Sequence, residues 1–249
     1  MIKLNKDVGH FIVIEGPDGS GKTTISQMLV DHLNQSGYDA VYMHDPGSSS
    51  LGEKIRELVL SEKLTHNEYI MLFSAGLNYT LRNAVIPALL DKKIVIMDRY
   101  LRSSYIYQQI YARSASESWE NYNIRKKLFE SISKALGVYA KPEYEFVLDI
   151  NPSVAIQRMQ TRNKETDVWE GKGLSYLTSI INLYSKVEYG DPFRINANLS
   201  EREVLTQITN ILEQPKQTPS GQLMLDFDDE PTYNKKNKMP GWDFQEGKE

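Results

Sequence analysis

The 249-residue sequence contains no cysteine, which excludes disulfide frameworks, thiolate metal sites and cysteine nucleophiles. Its four histidines are scattered and show none of the short spacings that are typical of a histidine metal site. The sequence also lacks the roughly 18–20 consecutive apolar residues that a membrane-spanning helix needs. Residues 1–10 have no apolar stretch behind them that would form a signal peptide. We therefore expect a cytoplasmic protein without a membrane partner.

An excess of positive charge is missing as well. The 29 basic and 33 acidic side chains leave a formal net charge of −4. Because direct nucleic-acid binding usually needs a basic surface, we expect none here. The hydrophobic fraction of 40% and the charged fraction of 25% are ordinary for a globular protein. A chain of this length can bury a core without disulfides or structural metals.

Short apolar runs alternate along the chain with longer stretches of helical periodicity. One such stretch, from Tyr69 to Leu90, is predicted to be largely helical, with Pro87 near its end. Strands that are apolar on both faces and separated by helices are typical of a parallel sheet covered on both sides. The pattern predicts an α/β three-layer fold with about five parallel strands, at 11–14, 40–43, 94–97, 145–148 and 194–196.

The composition changes near residue 213. Four of the ten prolines lie in 213–249, together with a run of three acidic residues and a lysine cluster. Segments of this kind bury too little apolar surface to fold. The sequence therefore predicts one domain over 1–212 and a flexible tail over 213–249.

Residues 16–23 read Gly-Pro-Asp-Gly-Ser-Gly-Lys-Thr and match the phosphate-loop pattern G-x-x-x-x-G-K-[ST]. The match follows a predicted strand and opens a predicted helix, which is the context that gives it weight and indicates a P-loop NTPase type of fold. In such a loop the backbone N–H groups surround the phosphates of ATP, the lysine reaches the outer phosphates and the hydroxyl ligates Mg²⁺. The predicted ATP-binding residues are Gly16, Gly19, Ser20, Gly21, Lys22, Thr23 and Thr24.

A second charged pair follows the third predicted strand. Asp98 lies at the carboxyl end of that strand, which in this architecture is beside the phosphate loop. A carboxylate there can hold Mg²⁺ directly or through water, so Thr23 and Asp98 are the predicted metal residues. The adjacent Arg99 suits an anionic second substrate or the transferred phosphoryl group.

Taken together, these motifs resemble the thymidylate kinase family of P-loop nucleoside monophosphate kinases, over about 11–212. The resemblance includes the phosphate loop, Asp45-Pro46-Gly47 with the segment 51–58, Leu72-Phe73-Ser74-Ala75, Asp98-Arg99-Tyr100, and 148–152. It implies ATP-dependent phosphorylation of a deoxynucleoside monophosphate, most simply dTMP, with Mg²⁺ as cofactor. The resemblance also implies a homodimer.

The resemblance assigns roles to single residues. Asp18 matches the loop acid near the acceptor, and Arg99 matches the arginine that binds the acceptor phosphate. Phe73 matches the aromatic residue that stacks on the base, and Tyr107 the tyrosine beneath the sugar, which disfavours a 2′-hydroxyl. Ser104 falls where relatives place a polar side chain against the base. The implied catalytic residues are Lys22, Asp18, Arg99 and, from a lid over about 158–173, Arg158 and Arg162, with Lys164 a further lid candidate.

Two positions depart from the family pattern. Thymidylate kinases usually carry an arginine that contacts the base four residues after the stacking aromatic, and here that substrate-binding position is Leu77. Arg82 and Arg102 are the candidates to replace it. In the lid, Asp167-Val168-Trp169-Glu170 stands where the family has Asp-Arg-x-Glu, so one lid arginine is missing. These departures leave open a different or modified base.

Two further functions stay open. A deoxynucleoside kinase would need a carboxylate base near a 5′-hydroxyl, for which Glu15 and Asp18 are candidates. A non-catalytic nucleotide-binding scaffold would act through the tail. There, 222–227 resembles motifs that dock to bacterial sliding clamps, with Gln222, Leu225 and Phe227 as anchors. The alternative for this segment is a solubilising tail, or one that folds back on the domain.

Overall fold

The computed structural model describes residues 2–112, 119–137, 140–161, 174–186 and 191–214. Five strands form one parallel sheet with the order β2-β3-β1-β4-β5. The sequence prediction of a five-stranded parallel sheet is thereby confirmed. The strands are β1 His10–Glu15, β2 Ala40–His44, β3 Ile94–Asp98, β4 Tyr144–Asp149 and β5 Phe193–Asn196.

Helices connect the strands and cover the sheet. Several begin at capping residues that the sequence makes visible: Thr65 and Ser200 each form a capping box with the glutamate three residues later. The helices are α1 Lys22–Gln35, α2 Ser50–Ser61, α3 His66–Thr80, α4 Ile86–Leu90, α5 Leu101–Ala112, α6 Trp119–Gly137, α7 Pro152–Thr161, α8 Leu174–Lys186 and α9 Glu201–Leu212.

The prediction that Tyr69 to Leu90 is largely helical is confirmed, but the helix is interrupted. Helix α3 ends at Thr80, a π-helical turn spans Leu81–Val85, and α4 follows. Pro87 explains the interruption, since it has no N–H to donate to the carbonyl group of Asn83. π-Helical structure is rare and, where it occurs, is mostly a single turn inside an α-helix, as it is here.

The two faces of the sheet bury separate cores, as the three-layer prediction requires. In β1, Ile12 and Ile14 belong to a cluster that includes residues of α1 and α9, whereas Phe11 and Val13 belong to a cluster on the other face. Successive side chains of a strand point to opposite faces, so this alternation means that helices cover β1 on both sides.

The strand order brings the predicted site together. Strands β1 and β2 both pair with β3, with Ile14 and His44 in register with Asp98. Because the strands are parallel, the segments that follow β1, β2 and β3 all emerge at the carboxyl edge of the sheet. The phosphate loop, Asp45 and Arg99 therefore meet at this edge.

Helix α9 ends at Leu212. The division into a domain over 1–212 and a flexible tail over 213–249 remains a prediction, because residues 215–249 lie outside the described part of the chain. Within the described residues, none of the helices is long and apolar enough to cross a membrane.

Candidate active site

A cleft of about 610 Å³ lies at the carboxyl edge of the sheet. One part of its wall comes from the phosphate loop, with Gly19, Gly21, Lys22 and Thr23. The remaining wall residues come from the segments after β2 and β3 and from helices α2, α3 and α5. Among them are Tyr42, His44, Asp45, Arg56, Leu60, His66, Tyr69, Phe73, Asp98, Arg99, Ser103, Ser104 and Tyr107.

Two glycines give the phosphate loop its shape. Gly19 and Gly21 have φ angles of 79° and 92°, which side chains other than glycine rarely adopt. A Cβ on Gly19 would also lie 2.6 Å from the carbonyl oxygen of Ala155, so this position excludes a side chain on two grounds. Gly16, Ser20 and Thr24, also predicted to bind ATP, belong to the loop and to α1 but do not line the cleft. Their predicted contacts are therefore those of the backbone.

Lys22 is the buried cation of the loop. Its side chain is 6% exposed, and its ammonium group donates a hydrogen bond of 2.9 Å to the carbonyl oxygen of Pro17 and lies 3.9 Å from Asp18. Burial and the neighbouring Arg99 lower the pKa of Lys22 to about 8, against the opposing effect of nearby carboxylates. An anion bound in the loop would stabilise the charged form of this lysine.

Thr23 and Asp98 join the loop to β3. The Thr23 hydroxyl donates a hydrogen bond of 2.7 Å to Asp98 Oδ2, which Tyr42 also approaches at 3.3 Å. Asp98 Oδ1 is buried and makes no hydrogen bond within the described residues. A hydroxyl next to a carboxylate with a spare oxygen is an oxygen donor set that suits Mg²⁺. The pair therefore fits the predicted metal.

Arg99 has an unusual backbone conformation. Its φ angle of 72° lies in the left-handed region, and its N–H donates to the carbonyl oxygen of Ile14 at 3.0 Å. Strained backbones of this kind cost about 1–3 kcal/mol and cluster at functional sites. The guanidinium forms an ion pair with Asp18 and donates to the Ser103 hydroxyl at 3.2 Å.

Tyr107 completes this charged group. Its hydroxyl donates to Asp18 Oδ2 at 2.8 Å, and its ring lies 5.0 Å beneath the guanidinium of Arg99. Burial alone would raise the pKa of Asp18, but Arg99 and Lys22 outweigh it and hold that pKa below its ordinary value. Asp18 is therefore a carboxylate that accepts hydrogen bonds from both neighbours.

An aromatic wall lies on α3. The rings of Tyr69 and Phe73 stack with centroids 6.2 Å apart and planes inclined by 19°. Phe73 therefore lines the cleft from α3, and Ser104 lines it from α5. These placements agree with the roles that the resemblance implies, which remain predictions.

The structure places Leu77 in the core. This residue is 1% exposed, belongs to an apolar cluster with Phe11 and Leu81, and does not line the cleft. The two candidates to replace the family arginine do not line the cleft either. The fully buried Arg102 forms a two-pronged ion pair with Glu145 at 2.7 and 3.0 Å, and Arg82 is exposed. The predicted contact of position 77 with the substrate stays a prediction that this arrangement does not support.

Of the two predicted lid arginines, Arg158 lies within the described residues and Arg162 does not. Arg158 donates to the carbonyl oxygen of Leu199 at 3.1 Å and does not line the cleft. Arg162, Lys164 and residues 167–170 lie outside the described residues, as do the tail anchors Gln222, Leu225 and Phe227.

Sequence reasoning missed several residues of the site. Arg56 lines the cleft from α2, and it stands inside the 51–58 segment that was noted only for its resemblance. Asp45 is 7% exposed, and its Oδ1 makes no hydrogen bond within the described residues. Burial and the charge of Glu15 raise the pKa of Asp45 to about 7, with Arg99 opposing. In the sequence, Asp45 was noted as part of the motif Asp45-Pro46-Gly47 but was given no role.

Comparison with known proteins agrees with this geometry. The sequence model of the thymidylate kinase family matches residues 14–208. A thymidylate kinase of Brachyspira hyodysenteriae is 30% identical over 213 residues, which cover 85% of this chain and 97% of the relative. A thymidylate kinase of Aster yellows witches'-broom phytoplasma is 34% identical over 212 residues, covering 82% and 95%. One from Exiguobacterium is 34% identical over 161 residues, covering 63% and 70%. The chain therefore belongs to the thymidylate kinase family.

Proposed function

We propose that this protein transfers the terminal phosphoryl group of ATP to a deoxynucleoside monophosphate, with dTMP as acceptor and dTDP as product. The observation that carries this proposal is the shared cleft. The phosphate loop, the Arg99–Asp18 pair and the aromatic wall of Tyr69 and Phe73 all line it. Family membership supports the same reaction.

Each residue has its own role in an in-line transfer, which depends on positioning and electrostatics more than on covalent chemistry. The loop N–H groups and Lys22 hold the phosphates of ATP, and Arg99 holds the phosphate of the acceptor. Thr23 and Asp98 would hold Mg²⁺, which neutralises charge on the phosphates when bound. On the acceptor side, Phe73 stacks on the base, Ser104 contacts it, Tyr107 lies beneath the sugar, and Asp18 lies near the acceptor phosphate.

Release of ADP from Mg-ATP across a panel of acceptors tests the proposal. The panel contains dTMP, dUMP, dCMP, dGMP, dAMP, a 5-substituted dUMP and thymidine, and the Lys22→Ala variant is the control for contaminating kinases. Turnover of dTMP that the control lacks supports the proposal. Turnover of thymidine alone would replace it with a deoxynucleoside kinase, and ATP binding without any turnover would replace it with a scaffold.

A monophosphate with another base or a modified pyrimidine is the second candidate acceptor, and the burial of Leu77 favours it. Neither Leu77 nor Arg82 nor Arg102 offers a hydrogen bond to a base in the cleft. A dTMP-selective protein must then read the base through other residues, such as Ser104. Preference for another monophosphate of the panel over dTMP would establish this candidate.

The predicted partners and location complete the proposal. We expect a homodimer in the cytoplasm, which sedimentation of the purified protein and cell fractionation would test. Docking of 222–227 to a sliding clamp stays a prediction, and a pull-down with the full chain and with a chain lacking 213–249 would decide it. Binding by both forms, or by neither, would contradict the prediction.

A further inference from the structure

Glu15, the last residue of β1, is fully buried and collects hydrogen-bond donors on both carboxylate oxygens. Its Oε1 accepts from the backbone N–H groups of Tyr100 at 2.8 Å and Ser103 at 3.0 Å. Both groups lie at the start of α5, where N–H groups have no partner inside the helix. Oε2 lies 2.5 Å from the Ser103 hydroxyl and 3.3 Å from the Tyr184 hydroxyl. Glu15 thus fixes the backbone that immediately follows Arg99.

The hydroxyl of Ser103 has three neighbours and a single proton. It lies 2.5 Å from Glu15, 2.8 Å from the Tyr184 hydroxyl and 3.2 Å from Nη1 of Arg99. Ser103 donates its proton to Oε2 of Glu15, and the hydrogen bonds from Ser103 and Tyr100 partly offset the rise in the pKa of Glu15 that burial causes. Arg99 donates only, so it takes one lone pair of Ser103, and Tyr184 donates to the other. Every hydrogen-bonding position of Ser103 is then in use.

Tyr184 reaches this group from α8, a helix that no sequence motif connects with the site. Its side chain is 1% exposed and packs with Ile106, Val147 and Ile180. Burial and the charge of Glu15 raise its pKa well above the ordinary value, so the hydroxyl keeps its proton and remains a donor. Packing fixes the ring, and the ring fixes the direction of the hydroxyl.

The two sides of the Arg99 guanidinium have different partners. Nη2 pairs with Asp18, whereas Nη1 donates to the hydroxyl of Ser103. An acceptor phosphate can then replace Asp18 at Nη2 while the contact of Nη1 with Ser103 is kept. A guanidinium that is already oriented loses less freedom when it binds a phosphate.

We propose that Tyr184 is a positioning residue for Arg99 and acts through the hydroxyl of Ser103. The proposal rests on the proposed function, because it takes Arg99 as the group that binds the acceptor phosphate. Tyr184 does not line the cleft, so it acts on the acceptor only through Ser103 and Arg99. Its effect is therefore confined to the acceptor side of the reaction.

Steady-state kinetics of the full-length Tyr184→Phe variant test this role, because the substitution removes the hydroxyl and keeps the ring. The KM for dTMP should rise roughly 3- to 10-fold, the range expected for one weakened hydrogen bond. The KM for ATP and the melting temperature should stay close to those of the unmodified protein. Tyr38→Phe is the matched control, since that hydroxyl donates to the carbonyl oxygen of Ile2 at 2.8 Å and does not line the cleft.

A double-mutant cycle with Ser103→Ala identifies the route. Ser103→Ala alone should raise the KM for dTMP at least as much as Tyr184→Phe. Adding Tyr184→Phe to it should change nothing further, because the intermediate hydroxyl is already gone. Additive effects, or a rise in both KM values together, would mean that Tyr184 supports the fold and does not position Arg99.

A measurement without substrate separates this proposal from the proposed function. The guanidinium protons of Arg99, assigned in nuclear magnetic resonance spectra by their loss in Arg99→Lys, should exchange with water faster in Tyr184→Phe than in the unmodified protein. If this change occurs while dTMP is not turned over, the proposed function fails and the positioning role stands. If dTMP is turned over and neither exchange nor the KM for dTMP changes, the positioning role fails.

Discussion

The hydroxyl of Thr23 donates a 2.7 Å hydrogen bond to Asp98 Oδ2 and so connects the phosphate loop to the end of β3. The contact places two oxygen ligands for a cation side by side without a bound ligand. Since Asp98 Oδ1 has no hydrogen bond within the described residues, the carboxylate can still bind a metal or its water while it holds Thr23. Under the proposed function, Thr23 and Asp98 would together hold the cation of a metal nucleotide.

Asp98→Asn should weaken the response to Mg²⁺ more than it weakens ATP binding. An amide retains the shape of the carboxylate but loses its negative charge, so a higher Mg²⁺ concentration should be needed for half-maximal activity. We expect kcat to fall on the order of 100-fold, comparable to the loss of a metal-orienting group. A titration of activity with Mg²⁺ at saturating ATP measures both quantities.

Thr23→Ser provides the matched control for this prediction, because it keeps the hydroxyl that meets Asp98. Its Mg²⁺ dependence should stay close to that of the unmodified protein. An Asp98→Asn variant with an unchanged Mg²⁺ midpoint would show that the carboxylate does not serve the metal.

Leu77→Arg should unfold the domain rather than restore a contact with the base. Leu77 is 1% exposed in an apolar cluster, and an unpaired guanidinium buried there lacks compensating partners. Leu77→Ala, which only leaves a cavity, should cost about 2–5 kcal/mol of unfolding free energy. Guanidinium chloride unfolding measures this loss, with Leu58→Ala as control, because Leu58 is 39% exposed on α2.

The opposite outcome would also be informative. A stable Leu77→Arg protein with a lower KM for dTMP would place residue 77 at the base after all. The packing of α3 against the sheet would then have to differ from the arrangement described above.

Asp45 should make the stability of the protein fall as the pH rises. Its pKa is raised from 3.8 to about 7, with burial as the largest cause and the charge of Glu15 as the second. Between these two values the unfolded chain has released the proton and the folded chain still holds it. Unfolding becomes more favourable across this window as the pH rises, and no further change is expected above it.

Asp45→Asn removes the carboxyl group whose ionisation lowers the stability of the folded protein. The variant should therefore melt at a higher temperature than the unmodified protein, by a difference that grows from pH 4 to about pH 7 and then stays level. Thermal unfolding at several pH values measures it, with the exposed Asp31→Asn on α1 controlling for the loss of one carboxyl group. A difference that is the same at all pH values would contradict the raised pKa.

The sheet and the phosphate loop could be predicted because each depends on local sequence. Buried parallel strands show as continuous apolar runs, and the loop geometry needs glycine at Gly19 and Gly21, where φ is positive. The break near Pro87 was less visible, since a helix can absorb a proline through a π-helical turn. The periodicity of the apolar residues predicts the helical region but not the π-helical turn within it.

The contacts that hold Arg99 in place could not be predicted, because they join distant parts of the chain. Tyr184 lies 169 residues from Glu15 in sequence, and both meet at Ser103. The direction in which Leu77 faces could not be predicted for a related reason. Its position relative to Phe73 predicts a neighbour on the helix, but the turn of α3 against the sheet decides whether it faces the cleft or the core.

Tyr107 offers a test in which its hydroxyl and its ring have separate effects. The hydroxyl donates to Asp18 at 2.8 Å, whereas the ring fills the cleft beneath Arg99. In Tyr107→Phe, Asp18 loses one hydrogen bond, so kcat/KM for dTMP should fall roughly fivefold. The preference for dTMP over its ribonucleotide analogue should remain, because the ring still occupies the space that a 2′-hydroxyl would need.

In Tyr107→Ala that space opens. The ratio of kcat/KM values for dTMP and the ribonucleotide should then fall at least about tenfold relative to Tyr107→Phe, since discrimination by exclusion disappears with the ring. Measuring both substrates with both variants cancels any general loss of activity, because only the ratio is compared. If the ratio is the same in the two variants, the ring does not exclude the 2′-hydroxyl, and the discrimination must come from Asp18 or Ser104.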